Sequence, residues 1–184
     1  MQTIEYILFS LALSIPLMIE LRRSATATDI KSLRGLGISV TICVFQAALM
    51  LGGIYLGKAL RIEPTELNDT VALALLVVVA VKLFITTLSK KERQNYDLSR
   101  TATVFALSTA LGINTLITGI GLGMTANNMK ATLITLCVTI AISSLFFSEI
   151  GIMLGRQKKG LREKRHQTVA ILLYIAAIAW HVAF

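Results

Sequence analysis

Apolar residues dominate this chain in six long runs, at about 4–21, 36–57, 71–88, 101–124, 131–155 and 168–184, and nearly all the charge falls in the short connectors between them. A hydrocarbon core of about 30 Å takes roughly 20 helical residues to cross, so each run is long enough to span it. Each must be helical, because lipid offers no hydrogen-bond partner to an open backbone. The first run lacks a basic leader and an A-x-A-like site, and Arg22 and Arg23 follow it. It therefore reads as a retained span, not a cleaved signal peptide.

The pattern repeats at a spacing of 98 residues: Val40-Thr41-Ile42 returns as Val138-Thr139-Ile140, Gly53-Ile54 as Gly151-Ile152, Leu56-Gly57 as Leu154-Gly155 and Val71-Ala72 as Val169-Ala170. Ser10, Ala12, Leu13 and Ile15 likewise return as Ser108, Ala110, Leu111 and Ile113. Each unit holds three spans, an odd number, so the second must enter the membrane upside down relative to the first. The expected fold is an all-α membrane protein of six transmembrane helices, built as two inverted three-helix repeats over about 4–88 and 101–184. Inverted repeats suit secondary transport, because two equivalent halves can exchange inward-open and outward-open shapes around a site near the midplane.

Composition agrees with that class: 55% hydrophobic residues, 15% charged residues and a mean hydropathy of +0.74 leave too little polar surface for a soluble domain. The net charge of +8 raises nucleic acid as a partner, but its placement speaks for topology instead. Arg22, Arg23, Lys31 and Arg34 follow span 1; Lys90, Lys91, Arg93 and Arg100 follow span 3; Arg156, Lys158, Lys159, Arg162, Lys164 and Arg165 precede span 6. The opposite side carries only Lys58, Arg61 and Lys130 beside Glu5, Glu63, Glu66 and Asp69. The positive-inside rule then puts three basic loops in the cytoplasm and both termini outside a bacterial inner membrane. The lipid bilayer is the expected partner, with anionic headgroups at the basic loops and no nucleic acid.

The spans nearly consume residues 1–184, so a single transmembrane domain is expected. Pro64, between Glu63 and Thr65, reads as an external turn. Gly53 and Gly57, and again Gly151 and Gly155, show the small-xxx-small spacing of helix-packing faces. Such faces serve within one chain, in a homo-oligomer or against a membrane partner protein. Cys43 and Cys137 fall in different spans at positions the repeat does not relate, which favours free thiols over a disulfide. His166 and His181 lack metal-site spacing, and there is no Walker A signature, nucleophile elbow or H-E-x-x-H on which to rest an enzyme. No bound cofactor is expected.

Polar groups inside the spans are the informative remainder, since they are costly there and functional by default. Ser14 beside Pro16, Gln46, Asn114, Ser143 and Ser144 lie near mid-span. The repeat sets Pro16 against Asn114 and Gln46 against Ser144. Amide oxygens of Asn114 and Gln46 could coordinate a hard cation, and Pro16 could free the Ala12 carbonyl for the same use; interhelical hydrogen bonding explains the same residues without a ligand. Glu20, Lys82 and Glu149 are charges lying deeper than loops allow. Lys82 and Glu149 are each six residues from the basic end of their spans, which predicts an ion pair, serving either as a gate or as a static lock. Glu20 either reaches the interface beside Arg22 or lines the pathway.

The run Leu111–Gly123, LGINTLITGIGLG, resembles the second S-L-D-A-x-A-V-G-x-G-L stretch of the small six-helix bacterial manganese efflux pumps, the MntP type, within the broader LysE-like exporters. Ile150–Arg156, IGIMLGR, is similar to the segment closing their fifth helix, and Lys82 falls where they carry a basic residue in the third. The resemblance covers nearly the whole chain and implies export of Mn²⁺ as transported substrate, driven by the proton-motive force, through intramembrane acids. At those places this chain has Pro16 and Asn114 for the two Asp residues and Gln46 for a Glu. Neutral amides compensate a divalent charge less than carboxylates do and cannot exchange protons for it. Asn114, Gln46 and Glu149 are the remaining candidate metal ligands. Three functions stay open on the sequence: a manganese exporter with a neutral central site, a scaffold or accessory subunit that keeps the fold without transport, and an exporter of an organic or anionic solute bound by Asn114, Gln46 and Lys82.

Overall fold

A computed structural model describes residues 2–28, 32–62, 66–88, 96–126, 129–157 and 163–183. These form six helices: α1 (Gln2–Ala27), α2 (Ser32–Ala59), α3 (Glu66–Leu88), α4 (Thr101–Thr125), α5 (Met129–Arg156) and α6 (Glu163–Ala183). All six are long and apolar enough to cross a membrane, and each expected span lies within or close to one of them. Their outward faces expose large apolar side chains such as Val44, Tyr55, Phe84, Ile142, Phe146 and Leu172. Exposure of that kind along a whole bundle is what lipid, not water, tolerates. Pro64 and its proposed turn lie outside the described residues.

Two helix pairs make the closest packing. α1 lies along α5 and α2 along α4, with α6 against α1, α3 against α4, and further contacts between α2 and α5 and between α3 and α6. Exchanging α1-α2-α3 for α4-α5-α6 leaves this set of pairs unchanged. The register repeats too: a Cβ on Gly151 or Gly155 of α5 would stand 2.5 Å from the Met18 or Arg22 carbonyl oxygen of α1. Ninety-eight residues away, a Cβ on Gly53 or Gly57 of α2 would collide with the Leu116 or Ile120 carbonyl oxygen of α4. In both pairs the contacts advance together along the two chains, so each pair is parallel.

Hydroxyl groups add a ladder between α1 and α5. Tyr6 Oη lies 3.0 Å from Thr132 Oγ1, Ser10 donates to Thr139 Oγ1 at 2.9 Å, and Ser14 Oγ lies 3.0 Å from Ser143 Oγ. Cys43 Sγ donates to the Ala141 carbonyl at 3.3 Å. Since 43 plus 98 is 141, this α2 to α5 contact joins a position to its own repeat mate. Both cysteines are free thiols.

At the basic end, residues 96–100 fold back onto the bundle: Leu98 is fully buried, the Tyr96 amide donates to Ser24 Oγ at 3.3 Å, and Arg34 donates to the Ser99 carbonyl. Hydrogen bonds from Ser99, with Arg100 and Arg34 nearby, hold the Asp97 carboxyl below its ordinary pKa.

Adding one methyl group at Gly57 or Gly151 forces a neighbouring helix backbone apart, and overpacking of this kind costs about 1–3 kcal/mol. Gly57→Ala and Gly151→Ala are therefore expected to lower the thermal unfolding midpoint of the purified protein. Gly37→Ala, where a Cβ would meet nothing within 4 Å, should leave it unchanged or raise it slightly through better helix propensity.

Candidate functional site

Four helices, α1, α3, α4 and α6, enclose two cavities at opposite ends of one column. The first, of about 140 Å³, opens toward the basic end and is lined by Pro16 and Glu20 of α1, Lys82 and Thr86 of α3, Asn114 of α4 and Gln167 of α6. The second, of about 480 Å³, lies toward the other end, between Glu5 and Tyr6 of α1, Asp69 and Thr70 of α3, Thr125 of α4 and His181 of α6. Along α1 and α3 the residue numbers rise from the second cavity to the first; along α4 and α6 they fall. Hence α1 runs antiparallel to its repeat partner α4, and α3 to α6.

Between the cavities each helix contributes apolar or hydroxyl-bearing side chains to a plug: Phe9 and Leu13, Leu76 and Val79, Thr118, and Tyr174, all 8% exposed or less. Tyr174 is central. Its ring meets Phe9 edge-on at 5.0 Å, and its hydroxyl lies 2.6 Å from Thr118 Oγ1. Tyr6 and Pro16, on opposite sides of the plug, are ten residues apart, a rise of about 15 Å of packed helix. Buried side chains fill this section between the two cavities.

The basic-end cavity gathers four of the residues that the sequence singles out, Pro16, Glu20, Lys82 and Asn114. Asn114 Oδ1 is buried with no hydrogen-bond partner, an acceptor whose desolvation is uncompensated at roughly 1–3 kcal/mol. Such a group is suited to receive a donor or a cation. Glu20 has Arg23 at 3.7 Å and also lines the cavity, so its carboxylate is not merely interfacial. Lys82 is exposed and has no ion-pair partner among the described residues. The cavity thus presents one carboxylate, one ammonium and two side-chain amides.

The other candidates sit elsewhere. Gln46 is buried and accepts a hydrogen bond from Thr115 Oγ1, which ties α2 to α4. Ser14 donates to the Ser10 carbonyl at 2.7 Å within the α1 to α5 ladder, and Ser144 donates to the Ala141 carbonyl of its own helix at 3.2 Å. Ala12, whose carbonyl Pro16 frees, is fully buried in the core. Glu149 Oε1 is buried without a hydrogen-bond partner, but no Lys82–Glu149 ion pair forms. Equal depth along the membrane does not fix a shared side of the bundle: α3 packs on α4 and α6, whereas α5 packs on α1 and α2.

What the sequence analysis passed over is the second cavity. There the Glu5 carboxylate and the His181 imidazole meet at 2.7 Å, with side chains only 7% and 18% exposed. Both residues lie within a few positions of a helix end, where a charge ordinarily reaches water. The signal available beforehand was only that Glu5 and His181 fall at the same expected membrane face.

No match arises from comparison with curated proteins or with solved structures. One family model does match: Mntp, described as a putative manganese efflux pump, over residues 29–179. The matched segment contains Gln46, Lys82, Asn114, Ser144 and Glu149, and excludes α1 with Glu5, Ser14, Pro16 and Glu20, together with His181. Six membrane-spanning helices and a match over more than four fifths of the sequence agree in kind, and the chain belongs to the Mntp family of manganese efflux pumps.

Proposed function

We propose that this chain is a secondary transporter that exports Mn²⁺ by alternating access, with an inner site that lacks the family's acids. The observation that carries the reading is the pair of opposed cavities within one four-helix column, separated by a packed plug. Alternating access requires that the site be reached from one side at a time, and opposed cavities with a packed plug between them are compatible with that. The two halves act as inverted repeats, supported by the repeated glycine register and by the antiparallel course of α1 and α4. The smaller cavity faces the cytoplasm of a bacterial inner membrane and both termini lie outside, a reading supported by the positive-inside rule applied to the basic loops.

On this reading Mn²⁺ enters the smaller cavity, where Glu20 supplies negative charge and the unpartnered Asn114 oxygen supplies a hard ligand. Lys82 opposes a dication at close range, so it must swing aside or lose its proton as the ion enters. Glu149 stays outside this pathway as a buried, unsatisfied group on α5. A second reading has its own observation: an ammonium and a carboxylate facing one small cavity, with amides between them, complement an anionic or zwitterionic solute.

Opposed access is testable in a background with Cys43 and Cys137 replaced by Ala. A single cysteine at Ala110 should react with a membrane-impermeant thiol reagent from the cytoplasmic side, and one at Leu73 from the outside. Labelling of both from one side would remove the opposed-cavity basis of transport.

The cargo is decided in an exporter-deficient bacterium. Expression of the chain should lower cellular manganese relative to empty vector, and Asn114→Asp, which restores an acid to the cavity lining, should lower it further. Lys82→Gln relieves a like-charge repulsion, and a gain of about 1.4 kcal/mol would raise apparent Mn²⁺ affinity about tenfold. Unchanged manganese at verified membrane expression, for wild type and Asn114→Asp alike, would sink the manganese reading. Loss of export of an anionic or zwitterionic solute in Lys82→Gln would establish the second.

A further inference from the structure

Resting on manganese as cargo, we propose that the larger cavity holds a release-side station for the exported divalent cation, with the Glu5 carboxylate and the His181 imidazole as its protein ligands. The pair joins the first turn of α1 to the last turn of α6 at the mouth of the column, and Glu5 is 6% exposed. A carboxylate covered this completely at the end of a membrane-spanning helix is costly unless its charge is paired or used. His181 satisfies one oxygen, and the remaining lone pairs face a cavity of about 480 Å³.

The spacing suits an ion. Two neighbouring ligands of an octahedral cation with bonds of about 2.1 Å stand about 3.0 Å apart, and Glu5 Oε1 lies 2.7 Å from His181 Nδ1. The separation therefore needs to grow by only a few tenths of an ångström, together with a rotation of the imidazole that turns Nδ1 from Glu5 Oε1 toward the ion, to exchange the hydrogen bond for two coordination bonds. The proton on Nδ1 moves to Nε2 of a neutral ring, or leaves to water from a charged one, so charge and protons balance in either case. Carboxylate and imidazole are both acceptable donors to Mn²⁺.

The station is weak by construction. Among the described residues no three His, Cys, Asp or Glu side chains converge to hold a metal, so an ion at Glu5 and His181 keeps most of its water. Asp69 and the hydroxyls of Thr70 and Thr125 line the same cavity and can bond that water. A site past the plug must bind loosely enough to release, and two ligands meet that demand better than a closed cage does. It also supplies a carboxylate on the pathway of a chain whose inner site carries Pro16 and Asn114 where the family resemblance implies acids.

The chain contains two histidines, which makes the test spectroscopic. Untagged full-length protein in nanodiscs is loaded with Mn²⁺, and the bound ion is examined by pulsed electron paramagnetic resonance for coupling to an imidazole nitrogen. Wild type and His166→Gln should both show the coupling. His181→Gln should abolish it, and Glu5→Gln should weaken the nitrogen-coupled binding at least tenfold. Bound Mn²⁺ without nitrogen coupling in wild type, or coupling that survives His181→Gln, overturns the station while leaving manganese as cargo. No bound Mn²⁺ at all overturns both. The wild-type spectrum decides the matter even if a variant fails to fold.

Discussion

Backbone-to-backbone approach at four glycines is the constraint on which this molecule rests. Lipid tails are as apolar as leucine, so helices in a membrane gain little by hiding apolar surface from solvent and associate through close packing instead. Gly53 and Gly57 let α2 settle onto the Leu116 and Ile120 carbonyls, and Gly151 and Gly155 do the same for α5 on Met18 and Arg22. With these two pairs fixed, α3 and α6 have a groove each to fill, and the column between α1, α3, α4 and α6 follows. The cavities occupy the part of the bundle that no glycine pair closes.

Chemistry along the column changes from end to end. At the basic end an ammonium, a carboxylate and amides share a small space; in the middle Tyr174 bonds Thr118 and meets Phe9 edge-on; at the far end a buried carboxylate meets an imidazole. Positions 16 and 114, which line the smaller cavity, carry no carboxylate. Glu20 and Glu5 nonetheless put one carboxylate in each cavity. The acidic charge of the column therefore sits toward its two mouths.

Much of this was legible in the sequence. Span length and polarity located six helices, the 98-residue spacing anticipated the repeated glycine contacts, and the cost of intramembrane charge pointed to Glu20 and Lys82. Depth was readable; azimuth was not. Lys82 and Glu149 lie equally far from the basic end, yet their helices pack on different neighbours, and only the fold reveals that. Gln46 and Ser144 are polar at mid-span because they bond across or along helices, a use that sequence cannot tell from ligand binding. Glu5 and His181 lie near helix ends, where a charge ordinarily reaches water, and only the fold reveals that neighbouring helices cover them.

The two repeat-related seams are not energetically equal. α4 places Gly119 and Gly123 against the Met50 and Ile54 carbonyls, so the α2 to α4 pair is close on both faces. At the corresponding positions α1 carries Leu21 and Ala25, and the α1 to α5 pair depends instead on its serine and threonine ladder. Parting α2 from α4 would strip a double-sided glycine seam of its dispersion contacts; parting α1 from α5 would leave several hydroxyls unbonded in lipid. Either separation is expensive, for different reasons. Rearrangement is cheaper at the α2 to α5 contact, where Cys43 offers only a weak thiol donor to Ala141. That contact joins a position to its own repeat mate, so of these three helix pairs the one on the repeat relation itself is the least firmly bonded.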